Sequence, residues 1–152
     1  MIVLDASAVI ELLLGTARAL YVVDMLEDET QTVHAPHLLD VEVIAVLRRL
    51  TIRGVISAAV AARALEDYRD LGIERHDHDL LLERAWALRD NVTAADAMYV
   101  ALAEALPARL LTFDERLASV PALRRLIAQP PGHVDDEAAT SVPGPATSRQ
   151  AP

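Results

Sequence analysis

Four carboxylates, Asp5, Glu42, Asp96 and Asp114, are the side chains of this sequence whose types and positions could do chemistry together. Asp5 ends the apolar run that opens the chain, and Asp114 lies just past a second run from Arg109 to Thr112. Asp96 closes Thr93-Ala-Ala-Asp96, a helix-start signature. Glu42 lies one helical turn from Leu38, Leu39, Ala45 and Val46 and so shares their apolar face, whereas Asp40 points nearly the other way. In an open parallel sheet ligands gather outside the carboxyl ends of the strands, so these four positions can meet at one edge. Two carboxylates about 5 Å apart at an effective dielectric of about 20 repel by roughly 3 kcal/mol. Four held together therefore need protons or a cation. Oxygen-only ligation with room for water suits Mg²⁺ or Mn²⁺ better than Zn²⁺, which prefers nitrogen or sulfur.

Each acid taken alone has a plainer reading. Asp5 could cap the helix that follows it, Glu42 could tilt to water or pair with an arginine, Asp96 could complete a cap with Thr93, and Asp114 could be a turn acid. The weight lies in their joint arrangement. Ser7 and Thr112 stand beside two of them, and their hydroxyls could orient a carboxylate or a water, or serve only as capping and turn groups. A nucleophilic serine does not fit, since there is no Gly-x-Ser-x-Gly elbow and no histidine placed by a motif. The five glycines form neither a phosphate loop nor a dinucleotide fingerprint. His76 and His78 could chelate a metal from one face of an extended segment, with a solvated loop as the plainer reading. Trp86 is expected in the core or at an interface.

Helices and strands in alternation must position these groups. Behind Ser7 the apolar run Ala8 to Leu14 predicts a short helix ended by Gly15, and Ala17 to Glu27 predicts a second. Gln31 to Ala35 reads as a strand, with Pro36 placed to begin the helix His37 to Arg53, which Gly54 closes. Ser57 opens a helix to about Leu71, and Ile73 to His76 reads as a third strand. Helices from Asp79 to Arg89 and from Ala97 to Leu106 precede the strand Arg109 to Thr112. A short helix from Glu115 and a weak element at Leu123 to Ala128 complete residues 1–128. This alternation predicts an α/β fold, a three-layer α/β/α sandwich around a central, mostly parallel sheet. Residues 129–152, rich in proline and small residues, form a tail expected to be disordered.

Composition narrows the function classes. At 152 residues the chain reads as one domain able to bury a core without disulfides. The absence of cysteine excludes thiolate metal sites and cysteine nucleophiles, and fits a reducing compartment. Although 53% of residues are apolar, no uninterrupted run approaches the eighteen or so a membrane span requires, and the start lacks a signal-peptide pattern. A cytoplasmic protein without membrane contact is expected. A formal charge of −9 argues against holding nucleic acid by bulk electrostatics, yet a bound cation can reverse the sign locally. All fourteen basic residues are arginine, able to make forked contacts with phosphate. The first two helices carry more leucine, valine and isoleucine than a small sheet needs, so part of that surface could bind another chain.

Several runs, in this order and spacing, resemble PIN-domain ribonucleases of the VapC toxin type. They are Leu4-Asp5-Ala-Ser7-Ala, Val41-Glu42-Val43 ahead of Leu47-Arg48-Arg49-Leu50, Leu81-Leu-Glu-Arg-Ala-Trp86, Thr93-Ala-Ala-Asp96-Ala, Tyr99-Val-Ala-Leu-Ala and Leu111-Thr112-Phe-Asp114-Glu-Arg-Leu. The likeness covers residues 1 to about 128. It implies a four-acid cluster binding Mg²⁺ or Mn²⁺, endonucleolytic cleavage of RNA, homodimerisation, and inhibition by a cognate VapB-type antitoxin. By motif Asp5, Glu42, Asp96 and Asp114 match the acids, while Ser7 and Thr112 match accessory positions. Two positions depart from the pattern: Ala95 stands where a tyrosine is frequent, and Phe113 replaces a smaller residue.

The reading that follows is a metal-dependent endoribonuclease in which Asp5, Asp96 and Asp114 hold the ion, Glu42 helps position it, and activated water attacks phosphorus. Arg48, Arg49 and Arg116 lie nearest the acids in sequence and are the candidate RNA contacts. Two other classes compete. A non-catalytic PIN scaffold that only binds a partner would not cleave RNA with magnesium. A carboxylate-metal phosphohydrolase of the haloacid-dehalogenase kind usually has a second acid two residues after the first, where this chain has Ser7.

Overall fold

The computed structural model describes residues 1–27 and 31–128. Five short strands, β1 (Ile2–Leu4), β2 (Val33–Pro36), β3 (Ile73–His76), β4 (Arg109–Leu111) and β5 (Ile127–Ala128), form one sheet in the order β3-β2-β1-β4-β5, with every adjacent pair parallel. The central strand is buried on both faces. Its three residues Ile2, Val3 and Leu4 have no exposed surface, which is why the triplet is apolar without alternation.

Helices α1 (Ala6–Leu13) and α2 (Ala19–Leu26) join β1 to β2; α3 (Leu38–Ile52) and α4 (Ala58–Asp70) join β2 to β3. Helices α5 (Leu82–Ala87) and α6 (Ala94–Ala105) lead back across the sheet to β4, and α7 (Glu115–Ala118) leads on to β5. The chain thus steps outward from β1 to β3, then resumes on the other side of β1. Because parallel crossovers are right-handed, this reversal sends α1 to α4 to one face and α5 to α7 to the other. The packing agrees: α1 touches α2, α3 and α4, while α6 packs on α5 and spans β1, β2 and β4. The expected three layers are present. Direction reverses between β1 and β4, and there a crevice opens at the carboxyl edge.

Two helices stop where glycine lets them. After α1, Gly15 at φ +61° donates to the Leu12 carbonyl and Thr16 to that of Glu11; after α3, Gly54 at φ +69° donates to Thr51 and Val55 to Leu50. Both are Schellman endings, in which a left-handed residue turns two amides back onto the last free carbonyls.

Some boundaries differ from the sequence reading. Pro36 ends β2, pairing with His76, instead of beginning a helix; the His37 amide then donates to the His76 carbonyl at 3.0 Å, and α3 starts one residue later. Residues 79–89 break into a 3₁₀ turn at Asp79–Leu81 followed by α5, and α6 begins at Ala94 because the Thr93 hydroxyl accepts the Asp96 amide. Trp86 is not in the core: it is 70% exposed, with the Arg89 guanidinium 5.1 Å from its ring centre. Exposed apolar residues near the first helices include Leu20 and Val23 on α2, and Val41 and Ile44 on α3 are exposed as well. Among the described residues no helix is long and apolar enough to cross a membrane. The tail at 129–152 lies outside the described residues.

Candidate active site

At the carboxyl end of β1, Asp5 is the N-cap of α1. Its Oδ1 accepts from the amides of Ser7 at 2.7 Å and Ala8 at 3.2 Å and from the Ser7 hydroxyl at 2.5 Å, while the Thr112 hydroxyl donates to Oδ2. The capping role that the sequence offered for Asp5 is present. Asp5 is only 7% exposed, and burial pushes its carboxyl above the ordinary range while these hydrogen bonds pull it back. Ser7 and Thr112 do more than touch the acid. The Ser7 Oγ accepts the Phe113 amide at 2.8 Å and the Thr112 Oγ1 accepts the Asp114 amide at 3.0 Å, so the two hydroxyls lace the end of β1 to the end of β4.

Asp114 is the N-cap of α7, accepting the Arg116 amide at 2.9 Å. The Arg116 guanidinium grips the same carboxylate, Nη2 lying 2.8 Å from Oδ2 and Nε 3.3 Å from Oδ1. That contact, the first of its causes, holds the Asp114 carboxyl below the usual range. Asp96 sits in the first turn of α6, accepting the Thr93 hydroxyl at 2.7 Å. On α3, Glu42 is half-buried and accepts the Tyr99 hydroxyl on Oε2 at 2.6 Å. Burial raises the Glu42 carboxyl, and the negative charges of Asp5 and Asp96 raise it further against the Tyr99 hydrogen bond.

The four acids are linked in pairs by their charges and by hydrogen bonds. Glu42 feels Asp5 and Asp96, Arg116 feels Asp114 and Asp96, and Thr112 connects Asp5 with the Asp114 backbone. The acids nonetheless stand apart. No three of them bring ligand oxygens within 4.8 Å of one another. Beside Asp96 a cleft of about 360 Å³ opens, lined by Arg89, Asn91, Thr93 and Arg116.

The candidate arginines separate. Arg116 is at the cleft, whereas Arg48 and Arg49 are exposed toward the far end of α3, roughly 10 Å along the axis from Glu42 at 1.5 Å per residue. Two residues of the site were not singled out from sequence. Tyr99 follows Asp96 by three positions, so helical spacing puts both on one face, and that spacing was a usable signal. Arg89 carried no local signal. Phe113, one of the two departures, meets Tyr21 edge-on at 6.3 Å and lies under the Arg18 guanidinium at 5.3 Å, so its added bulk faces α2.

Known proteins share this fold and much of this sequence. The family model described as PIN domain matches residues 2–123. Ribonuclease VapC9 of Mycobacterium tuberculosis is 46% identical over 120 residues, covering 78% of this chain and 89% of that protein. Ribonuclease VapC1 of the same organism is 45% identical over 122 residues, covering 80% and 91%. Among solved structures, M. tuberculosis VapC20, described as a sarcin-ricin loop cleaving toxin, superposes with a TM-score of 0.59 over 80% of this chain and 95% of that one; at 17% identity this shows the shared fold. A toxin-antitoxin complex from Klebsiella pneumoniae gives 0.57 at 17% identity, over 80% and 93%. With nearly all of residues 1–128 accounted for in this way, the protein belongs to the PIN domain family and, within it, to the VapC ribonucleases.

Proposed function

We propose that this chain is the toxin of a toxin-antitoxin pair, an endoribonuclease that hydrolyses RNA phosphodiester bonds with the help of Mg²⁺ or Mn²⁺. The observation that supports the reading is that Asp5 caps α1 at the carboxyl end of β1, where the strand order reverses, that Thr112 links it to the Asp114 amide, and that the charges of Asp5 and Asp96 act on Glu42. The donor set fits such an ion, being all carboxylate oxygen, with Asp5 and Glu42 raised by burial and Glu42 raised further by the charges of Asp5 and Asp96. Asp5, Asp96 and Asp114 would hold it, with Glu42 alongside. When bound, the ion supplies neutralisation of phosphate charge and makes water easier to deprotonate.

The chain's own groups then divide the remaining work. Tyr99 fixes Oε2 of Glu42, which leaves Oε1 to accept a proton from the water that attacks phosphorus in line. The leaving 3′-oxygen takes up a proton from solvent, and Glu42 returns the one it accepted to solvent, giving 5′-phosphate and 3′-hydroxyl ends. Arg116 and Arg89, on the walls of the cleft, are placed to receive backbone phosphates, and their forked geometry suits that contact. The exposed apolar residues Leu20, Val23, Val41 and Ile44 offer a surface for a cognate antitoxin or for a second copy of the chain.

Incubation with total cellular RNA, with and without magnesium, tests this directly. Cleavage should require the divalent ion and should vanish in Asp5→Asn and Asp96→Asn, both still folded by circular dichroism. Wild-type rates in either variant would remove the assignment.

A further inference from the structure

Among the described residues, the tightest group of potential metal ligands lies away from the four acids, on the β2–β3 pair at the edge of the sheet. His34 of β2 stands opposite Glu74 of β3 in the parallel register, and His76 follows Glu74 by two. Side chains alternate along a strand, so all three project from the same face of the sheet. Nδ1 of His34 lies 3.0 Å from Nε2 of His76; the Glu74 carboxylate has one oxygen 3.6 Å from the first and the other 3.8 Å from the second. A tetrahedral ion with bonds of about 2.0–2.1 Å sets its ligands about 3.4 Å apart. One ligand atom from each of the three residues lies within 4.8 Å of the others, close to that spacing.

Two further features point to a ligand set. Nε2 of His34 lies 2.8 Å from the Thr32 hydroxyl, a contact that orients the ring; in the tautomer that donates there, Nδ1 keeps a lone pair on the His76 side. Burial makes the orientation firm, since His34 is 5% exposed, while the Glu74 side chain, 66% exposed, keeps the fourth position open to solvent. The chemistry differs from that of the acid cluster: two imidazoles and one carboxylate favour a borderline ion of the zinc class over magnesium. His78, the other histidine on the extended run, is turned elsewhere, its Nε2 accepting the Leu38 amide at 3.1 Å.

We propose that His34, Glu74 and His76 form a second metal site, taking Zn²⁺ or a similar borderline ion, that ties the edge strand β3 to β2. The site stands independently of the ribonuclease reading. The test uses the untagged full chain, stripped with chelator and then kept in millimolar Mg²⁺, titrated with Zn²⁺ alone and followed by calorimetry and thermal melting, with Co²⁺ absorption as a check on tetrahedral geometry. One equivalent of Zn²⁺ should bind at micromolar concentration or tighter and raise the melting temperature. Binding should weaken at least about tenfold in Glu74→Gln and in Thr32→Val and be lost in His76→Gln, yet persist in Asp96→Asn. Glu74 and His76 are partly exposed, so their variants test ligation without emptying the core. Zn²⁺ binding that survives in His76→Gln, that disappears in Asp96→Asn, or that does not occur at all would overturn the proposal, leaving an ordinary hydrogen bond between two histidines.

Discussion

Glu42 is the residue whose environment asks most of it. It is an acid on the inner side of a helix, pushed toward its neutral form by burial and by Asp5 and Asp96, and kept usable by one hydrogen bond from Tyr99. Tyr99→Phe should therefore raise the Glu42 pKa further, because the lost bond favoured the charged form. If Glu42 accepts the proton from water, the working carboxylate then forms only at higher pH, and the acidic limb of the pH–rate profile should move upward. An unmoved limb would show that Glu42 does not take that proton. Arg116 plays the complementary part at Asp114, gripping its carboxylate while also lining the cleft beside Asp96.

At the scale of elements, the site depends on short helices that begin and end at fixed residues. The left-handed Gly54 closes α3 with nothing within 4 Å of where a Cβ would stand, so Gly54→Ala should lose about 1 kcal/mol from backbone strain alone, measured by urea denaturation. Gly72, with equal space and no positive φ, should tolerate alanine within about 0.5 kcal/mol. Asp40, on the side of α3 away from Glu42, is bound by the Tyr68 hydroxyl of α4 at 2.5 Å and by Arg75 of β3 at 3.2 Å, which fixes α3 against its neighbours. Burial, then the Asp40 acceptor, holds the Tyr68 phenol well above its ordinary range. A phenol raised in the folded state stabilises fully below its unfolded pKa of about 10, and that contribution is lost as pH climbs beyond it. Tyr68→Phe should thus cost about 1 kcal/mol at neutral pH and flatten the alkaline loss, by melting curves taken across pH.

The whole molecule is acidic, at −9, yet is proposed to bind a polyanion, so RNA affinity must come from few contacts. In Asp5→Asn, which binds without cutting, two or three arginine–phosphate contacts predict a slope of log K on log salt of about −2, at about −0.7 per contact on a single strand. Arg116→Ala should reduce it by roughly one contact, while Arg48→Ala, on the far end of α3, should leave it alone. A steep slope would mean a basic footprint that the fold does not display.

Much of this was legible in the chain itself. Apolar triplets, the helix-opening residues Asp5, Ser57 and Thr93, and the terminating glycines act over about six residues or fewer, so local hydrogen bonding fixes them and the sequence shows them. The family motifs likewise sit in unbroken runs. What the tertiary structure alone decided is who meets whom. The order β3-β2-β1-β4-β5 makes β4 the neighbour of β1 and so joins Thr112 to Asp5 across 107 positions; the packing of α3 near α6 hands Glu42 to Tyr99; the register of β2 on β3 sets His34 beside His76. Those pairings follow from burying both faces of the sheet at once, a condition on the whole chain that no window of sequence contains.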